Sequence, residues 1–257
     1  MAVSSGQAGL RNIETRAGLG ATQRRDLWWV QPLVVFIGLG LFVVYATLRA
    51  FQGHFYEWGP YLSPFYSPLI DPEHRWWPLS PALLVLIGPL GFRTTCYYYR
   101  KAYYRAFFWD PPACAVGEAR HHYGGEAKFP LILQNIHRYF FYLSFVYLVF
   151  LWRDAVRGFI WDGHFGIGVG SLVLLLNICL LTTYTLSCHS CRHVVGGNVD
   201  CYSCAKFGGT RLGIWRRVTF LNEHHQLIAW ISLFFVAFTD LYVMLVAMGT
   251  IRDLRLF

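Results

Sequence analysis

GHFGIGVGSLVLLLNICLLTTYTLSCHSC, residues 163–191, runs for 29 positions without an Asp, Glu, Lys or Arg and ends on two cysteines. About 20 apolar residues cross a bilayer core as a helix, so a span is expected over 167–187 within it. The whole chain has the matching composition: of 257 residues 55% are hydrophobic, 18% aromatic and only 14% charged. That is too little charge to cover a soluble globule of this size. The net charge of +8 is spread over the connections between apolar runs, which argues for loops beside a membrane and against nucleic-acid binding.

Working outward, the pattern predicts an all-α integral membrane protein with five transmembrane helices over about 27–48, 76–99, 129–152, 167–187 and 224–248. Residues 1–26 are polar, carry Arg11, Arg16, Arg24 and Arg25, and read as a flexible N-terminal tail. Fifteen Lys and Arg in the tail, the 93–128 connection and the 189–223 connection face six on the other side (Arg49, Arg75, Arg153, Arg157, Arg252 and Arg255). The N-terminus and the cysteine-bearing link are therefore expected in the cytoplasm.

Between spans one and two, 51–77 is rich in Pro, Tyr, Trp and Gly and reads as an interfacial cap, with His54 and His74 solvated. Pro78, Pro81 and Pro89 are expected to bend span two. The run 97–109 is basic and aromatic and reads as an interfacial anchor. Cys96, Cys114 and Cys179, each alone, read as packing residues, and His121 and His122 as a solvated pair. His137 and Arg138 fall about 12 Å into span three, a depth at which ionisable groups are seldom idle. Asp240 is the one acid in span five; it marks a proton route from the outer side or binds a polar group between helices. It lies roughly 20 Å from the inner end of its span, beyond reach of the cysteine cluster and of Arg138.

The chemistry concentrates in the link 188–210, where Cys188, Cys191, Cys201 and Cys204 form two C-x2-C pairs nine residues apart. Such turns bring two sulfurs to one metal ion. With His193 and the pair His224 and His225, these seven side chains are the candidate metal ligands, converging with His137 at the inner half of the membrane. Three chemistries compete. Four thiolates would hold zinc or a single iron. A haem b would take His137 and His224 or His225 as axial ligands, although spans one and two supply no further pair for a second haem. A Rieske-type [2Fe–2S] cluster needs two Cys and two His; Cys191-Arg192-His193 has its C-x-H spacing, but Cys204 stands where the second histidine is wanted, so His224 or His225 would have to supply it. On the residues alone, zinc and the mixed cluster stand about equal. A thiol–disulfide exchanger is disfavoured, because the loop charges place the cysteines on the reducing side.

The stretch Phe92-Arg93-Thr94-Thr95-Cys96-Tyr97-Tyr98-Tyr99-Arg100-Lys101, the Cys/His link and the His224-His225 pair together resemble the membrane-anchor subunit of actinobacterial succinate dehydrogenase, respiratory complex II. The resemblance covers most of the chain. It implies a single-chain, five-helix anchor in the plasma (inner) membrane. Because the intramembrane histidine set of the haem-bearing relatives is lacking, it implies the branch with a Rieske-type cluster in the membrane. A flavoprotein subunit would oxidise succinate, an iron–sulfur subunit would dock on the cytoplasmic face over loops 93–128 and 189–223, and electrons would reach a quinone dissolved in membrane lipid. For quinone binding the resemblance leaves Arg93, Tyr97 and His137 as candidates, since each can donate a hydrogen bond near the inner edge. A haem b anchor and a zinc-stabilised structural anchor remain the alternatives.

Overall fold

The structure, a computed structural model, describes residues 18–70, 79–120, 125, 127–197 and 199–257. Arg11, Arg16, His74, Arg75, Pro78, His121 and His122 lie outside the described residues.

The first helix, α1 (Val30–Gln52), has 23 residues and a hydropathy that suits a bilayer. A two-residue hairpin follows, β1 (Glu57–Trp58) against β2 (Tyr61–Leu62). Span two differs from expectation. It is broken into α2 (Pro81–Val85) and α3 (Ile87–Thr95) with a step at Leu86. Pro89 has no N–H to donate to the carbonyl four residues back, and its ring crowds that turn, so the helix cannot run through smoothly. Residues 81–95 reach about 22 Å at the helical rise, short of the roughly 30 Å hydrocarbon core.

Next come α4 (Tyr97–Tyr103) with a π-turn over Tyr104–Phe108, and a 3-10 turn over Leu131–Ile136 that leads into α5 (His137–Arg157). His137 thus opens the α-helix instead of sitting two turns inside it. A second hairpin pairs β3 (Ile160–Trp161) with β4 (His164–Phe165). The remaining helices are α6 (Val169–Leu186), α7 (His189–Gly196), α8 (Gly208–Glu223) and α9 (His225–Ala247). Four helical segments are long and apolar enough to cross a membrane: α1, Leu131–Arg157, α6 and α9. Among the described residues there are thus four such helices where five spans were expected, and the second expected span is represented by the shorter apolar segment Pro81–Thr95.

The chain divides into two compact units at 41/42, 96/97 and 133/134. In the first, residues 18–24, read as part of a flexible tail, are held down. Gly20 and Ala21 exchange backbone hydrogen bonds with Gly117, the Thr22 hydroxyl donates to the Ala115 carbonyl, and Arg24 donates to the Cys114 carbonyl. Trp28 meets Trp109 edge-on and Phe36 packs on Phe107.

The second unit is a bundle in which α5 and α9 flank α6 and α3 lies on α5. Its core includes Tyr61, Leu148, Ala155, Leu174, Ile178 and Val243. The approach of α3 to α5 is close: a Cβ on Gly91 would fall 2.1 Å from the Phe140 ring, and one on Gly88 2.4 Å from Tyr147. At one end both hairpins meet, with Trp161 edge-on to Trp58 and Tyr61. The Tyr61 hydroxyl donates to Asp253, and burial pushes its phenol up to about 12.

Below this cap, Asp240 of α9 is wholly buried and takes a two-point hydrogen bond from Arg49 at 2.7 and 3.0 Å, with the Tyr45 and Ser63 hydroxyls donating as well. Arg49, counted above among outer loop charges, is itself 2% exposed. A carboxylate satisfied by four donors is a structural crosslink between α1 and α9. Asp240→Ala is expected to cost about 3–5 kcal/mol by leaving the guanidinium buried without its partner. Arg49→Met combined with Asp240→Leu should recover most of that loss. Thermal unfolding of the detergent-purified protein measures both, and equal melting temperatures for Asp240→Ala and the double variant would contradict the crosslink.

Candidate metal centre

At the other end of α9 four chain breaks meet. α3 stops because Cys96 turns to extended backbone (ψ 131°), and α6 gives way to α7 through Cys188, also extended (ψ 144°). α5 and α9 each begin on a histidine, His137 and His225. The four side chains are buried, between 1% and 7% exposed. They pair crosswise: His137 Nε2 lies 3.0 Å from Cys188 Sγ, and His225 Nε2 lies 3.3 Å from Cys96 Sγ. The other ring nitrogen of each histidine meets a hydroxyl, Thr95 Oγ1 at 2.9 Å from His137 Nδ1 and Ser187 Oγ at 2.7 Å from His225 Nδ1.

Aromatic rings brace the pair. Phe92 stacks on His137 with centroids 5.0 Å apart, Tyr184 stacks on His225 at 5.2 Å, and Phe92 meets Tyr184 edge-on at 5.4 Å. The two halves are therefore contiguous. Arg93 lies with its guanidinium 4.5 Å over the Tyr184 ring and donates to Ser232 Oγ at 3.3 Å. Burial pushes the Cys188 thiol up to about 12, with the Cys96 thiol adding to the shift. At neutral pH it stays protonated unless a metal takes the proton's place.

Of the seven ligand candidates read from sequence, only Cys188 and His225 join this centre, together with His137, which was expected to serve quinone. Cys191 is buried on α7, and burial raises its thiol too. His193 is exposed and packs edge-on to His189. His224 is exposed, with Nδ1 at the Phe220 carbonyl. Cys201 and Cys204 are exposed and joined to each other as a disulfide. The fourth member, Cys96, was read as a packing residue. A lone cysteine has no partner spacing to betray it, and only the fold brings it to His225. Tyr97 is exposed in the first unit, with Arg100 lying over its ring.

Two thiols and two imidazoles are the donor set of a mixed-ligand [2Fe–2S] cluster, in which the four ligands are shared between two irons. They fit that group in type, in burial and in having each imidazole's second nitrogen engaged, as metal-binding histidines do. Among the described residues no three His, Cys, Asp or Glu side chains gather tightly enough to hold a single ion. Two soft thiols beside the imidazoles also suit iron–sulfur chemistry better than haem.

Fold and site thus define a multi-pass helical membrane protein that buries a thiol–imidazole donor set. The chain belongs to the actinobacterial succinate dehydrogenase subunit SdhC family, whose model matches residues 30–249. It is accordingly a subunit of an enzyme complex whose succinate site lies on another subunit, and the other subunits of that complex are its partners. It is similar to a chain in the solved Mycobacterium smegmatis Sdh1 complex in the apo form: 46% identical, TM-score 0.82, covering 92% of this chain and 94% of that one. No curated protein sequence matches it.

The burial of the two central thiols has a chemical signature. In the folded protein, a maleimide is expected to modify exposed Cys114 well before Cys96 and Cys188, which should react only after denaturation. Peptide mass mapping reads the order, and early modification of Cys96 would contradict the arrangement.

Proposed function

We propose that this chain is the quinone-reducing membrane anchor of its succinate dehydrogenase and that Cys96, Cys188, His137 and His225 hold a Rieske-type [2Fe–2S] cluster. The observation that carries the reading is the pair of crossed thiol–imidazole contacts, four buried donors of the right type arriving from four chain segments. When bound, such a cluster takes up and gives back one electron at a time, which suits a place between a one-electron iron–sulfur donor and a two-electron quinone.

The protein's own part is to bind, orient and keep dry. The helix ends fix the four donors, and the stack of Phe92 and Tyr184 on the imidazoles excludes water from them. Arg93 follows Phe92 directly and presents a guanidinium, so it is the group best placed to hold a quinone carbonyl oxygen near the centre. His137, read earlier as a quinone contact, is assigned to the metal instead. The loop-charge asymmetry supports a cytoplasmic N-terminus and a centre at the inner leaflet of the plasma membrane. The iron–sulfur subunit would then dock over the basic connections 93–128 and 189–223, with the flavoprotein subunit beyond it.

The purified complex is expected to carry two irons and two sulfides assignable to this chain and an electron paramagnetic resonance signal of lower average g than an all-cysteine cluster. His137→Ala, His225→Ala, Cys96→Ser and Cys188→Ser should each remove that signal and abolish quinone reduction. Succinate-driven reduction of a water-soluble dye should persist in all four. Cys201→Ser and Cys204→Ser should keep the signal. Zinc in place of iron, or a signal that survives His225→Ala, would sink the reading. Arg93→Gln should raise the KM for quinone with the signal unchanged, and an unchanged KM would remove Arg93 from the quinone site.

A further inference from the structure

The four donors are supplied by a pattern that occurs twice. Phe92-Arg93-Thr94-Thr95-Cys96 ends α3, and Tyr184-Thr185-Leu186-Ser187-Cys188 ends α6. In each, an aromatic residue stands four before the cysteine and a hydroxyl residue one before it. The next helix of membrane-spanning length after each, α5 or α9, opens on the histidine. The contacts repeat as well. Phe92 stacks on His137 and Thr95 meets its Nδ1; Tyr184 stacks on His225 and Ser187 meets its Nδ1. Each thiol then crosses to the other histidine, Cys96 to His225 and Cys188 to His137.

The hydroxyls carry a chemical consequence. A hydroxyl has one proton to donate. Thr95 gives its proton to the Gly91 carbonyl at 2.6 Å, and Ser187 gives its own to the Tyr184 carbonyl at 2.8 Å. Toward the imidazoles both oxygens can therefore only accept, which requires a proton on each Nδ1. Neutral imidazole holds a single N–H, so each Nε2 is left bare, and it is Nε2 that faces the thiol.

We infer that the centre is assembled from two matching half-sites, Phe92/Thr95/Cys96/His137 and Tyr184/Ser187/Cys188/His225, and that Thr95 and Ser187 are positioning residues that lock both histidines as Nδ1–H tautomers with Nε2 presented to the metal. This rests on the cluster assignment above. A hydrogen bond donated by Nδ1–H makes Nε2 a stronger metal ligand, and partners of this kind typically matter 10–100-fold for metal affinity. A more basic imidazole also favours the oxidised iron, so losing the hydroxyl raises the reduction potential.

The test uses the intact complex carrying Thr95→Val or Ser187→Ala, with Thr95→Ser and Ser187→Thr as hydroxyl-retaining counterparts. Two quantities are read: the potential of the low-g signal in a redox titration, and the rate of iron loss to a chelator. Thr95→Val and Ser187→Ala are each expected to raise the potential and to speed iron loss about 10–100-fold, while the counterparts stay near the unsubstituted protein. If Thr95→Val does not assemble, Thr95→Ala, which only removes atoms, is read in its place. The inference is overturned if the variants lacking the hydroxyl match those retaining it in both quantities. An unsubstituted complex with no low-g signal would bring down the cluster reading itself, whereas a normal signal with unmoved variants brings down the half-sites alone.

Discussion

The second unit depends on the crossed contact between two thiols and two imidazoles. Cys96 and Cys188 stand at helix ends, His137 and His225 at helix starts, so one cluster of four side chains fixes where α3 and α6 stop and where α5 and α9 begin. Polar atoms so deeply buried need partners, because desolvating them costs several kcal/mol when nothing is returned. Here each imidazole finds one at both nitrogens. The fine tuning of the bundle serves that meeting: Gly88 and Gly91 let α3 approach α5 closely enough for Phe92 and Thr95 to reach His137.

α9 carries a second polar cluster at Asp240, 15 residues after His225 and so about 22 Å along the helix. The two clusters have opposite characters. Asp240 is held by four hydrogen bonds, two of them from the Arg49 fork. The Cys/His cluster sets two thiols against two imidazole nitrogens, the kind of donors that release protons when a metal binds. Intramembrane ionisable residues are often read as functional by default. In this protein one such group is a rivet, and the other is where the chemistry is proposed.

That division suits a subunit of succinate dehydrogenase, whose succinate chemistry happens on a different chain. In the reading proposed for it, the anchor would contribute a dry setting for a redox group. Stacking by Phe92 and Tyr184 covers the two imidazoles, which are buried.

Much of this was legible from sequence. The spans at 27–48, 129–152, 167–187 and 224–248 were visible as long apolar runs with at most one charged residue inside each, because membrane insertion is decided by local composition and length. The break in span two was signalled by its prolines, though not the shortening it causes. The resemblance carried by 92–101 and the Cys/His link named the family. Tertiary structure alone brought together the four side chains proposed as ligands. C-x2-C spacing is a local signal, and it drew the reading toward Cys201 and Cys204, which lie exposed, while Cys96 gave no local signal at all. Its partner His225 is 129 residues away, and only the packing of α3, α5, α6 and α9 brings the two into contact. Composition, acting through the solvent, settles what crosses the membrane; contact between distant segments, acting through packing, settles which side chains meet.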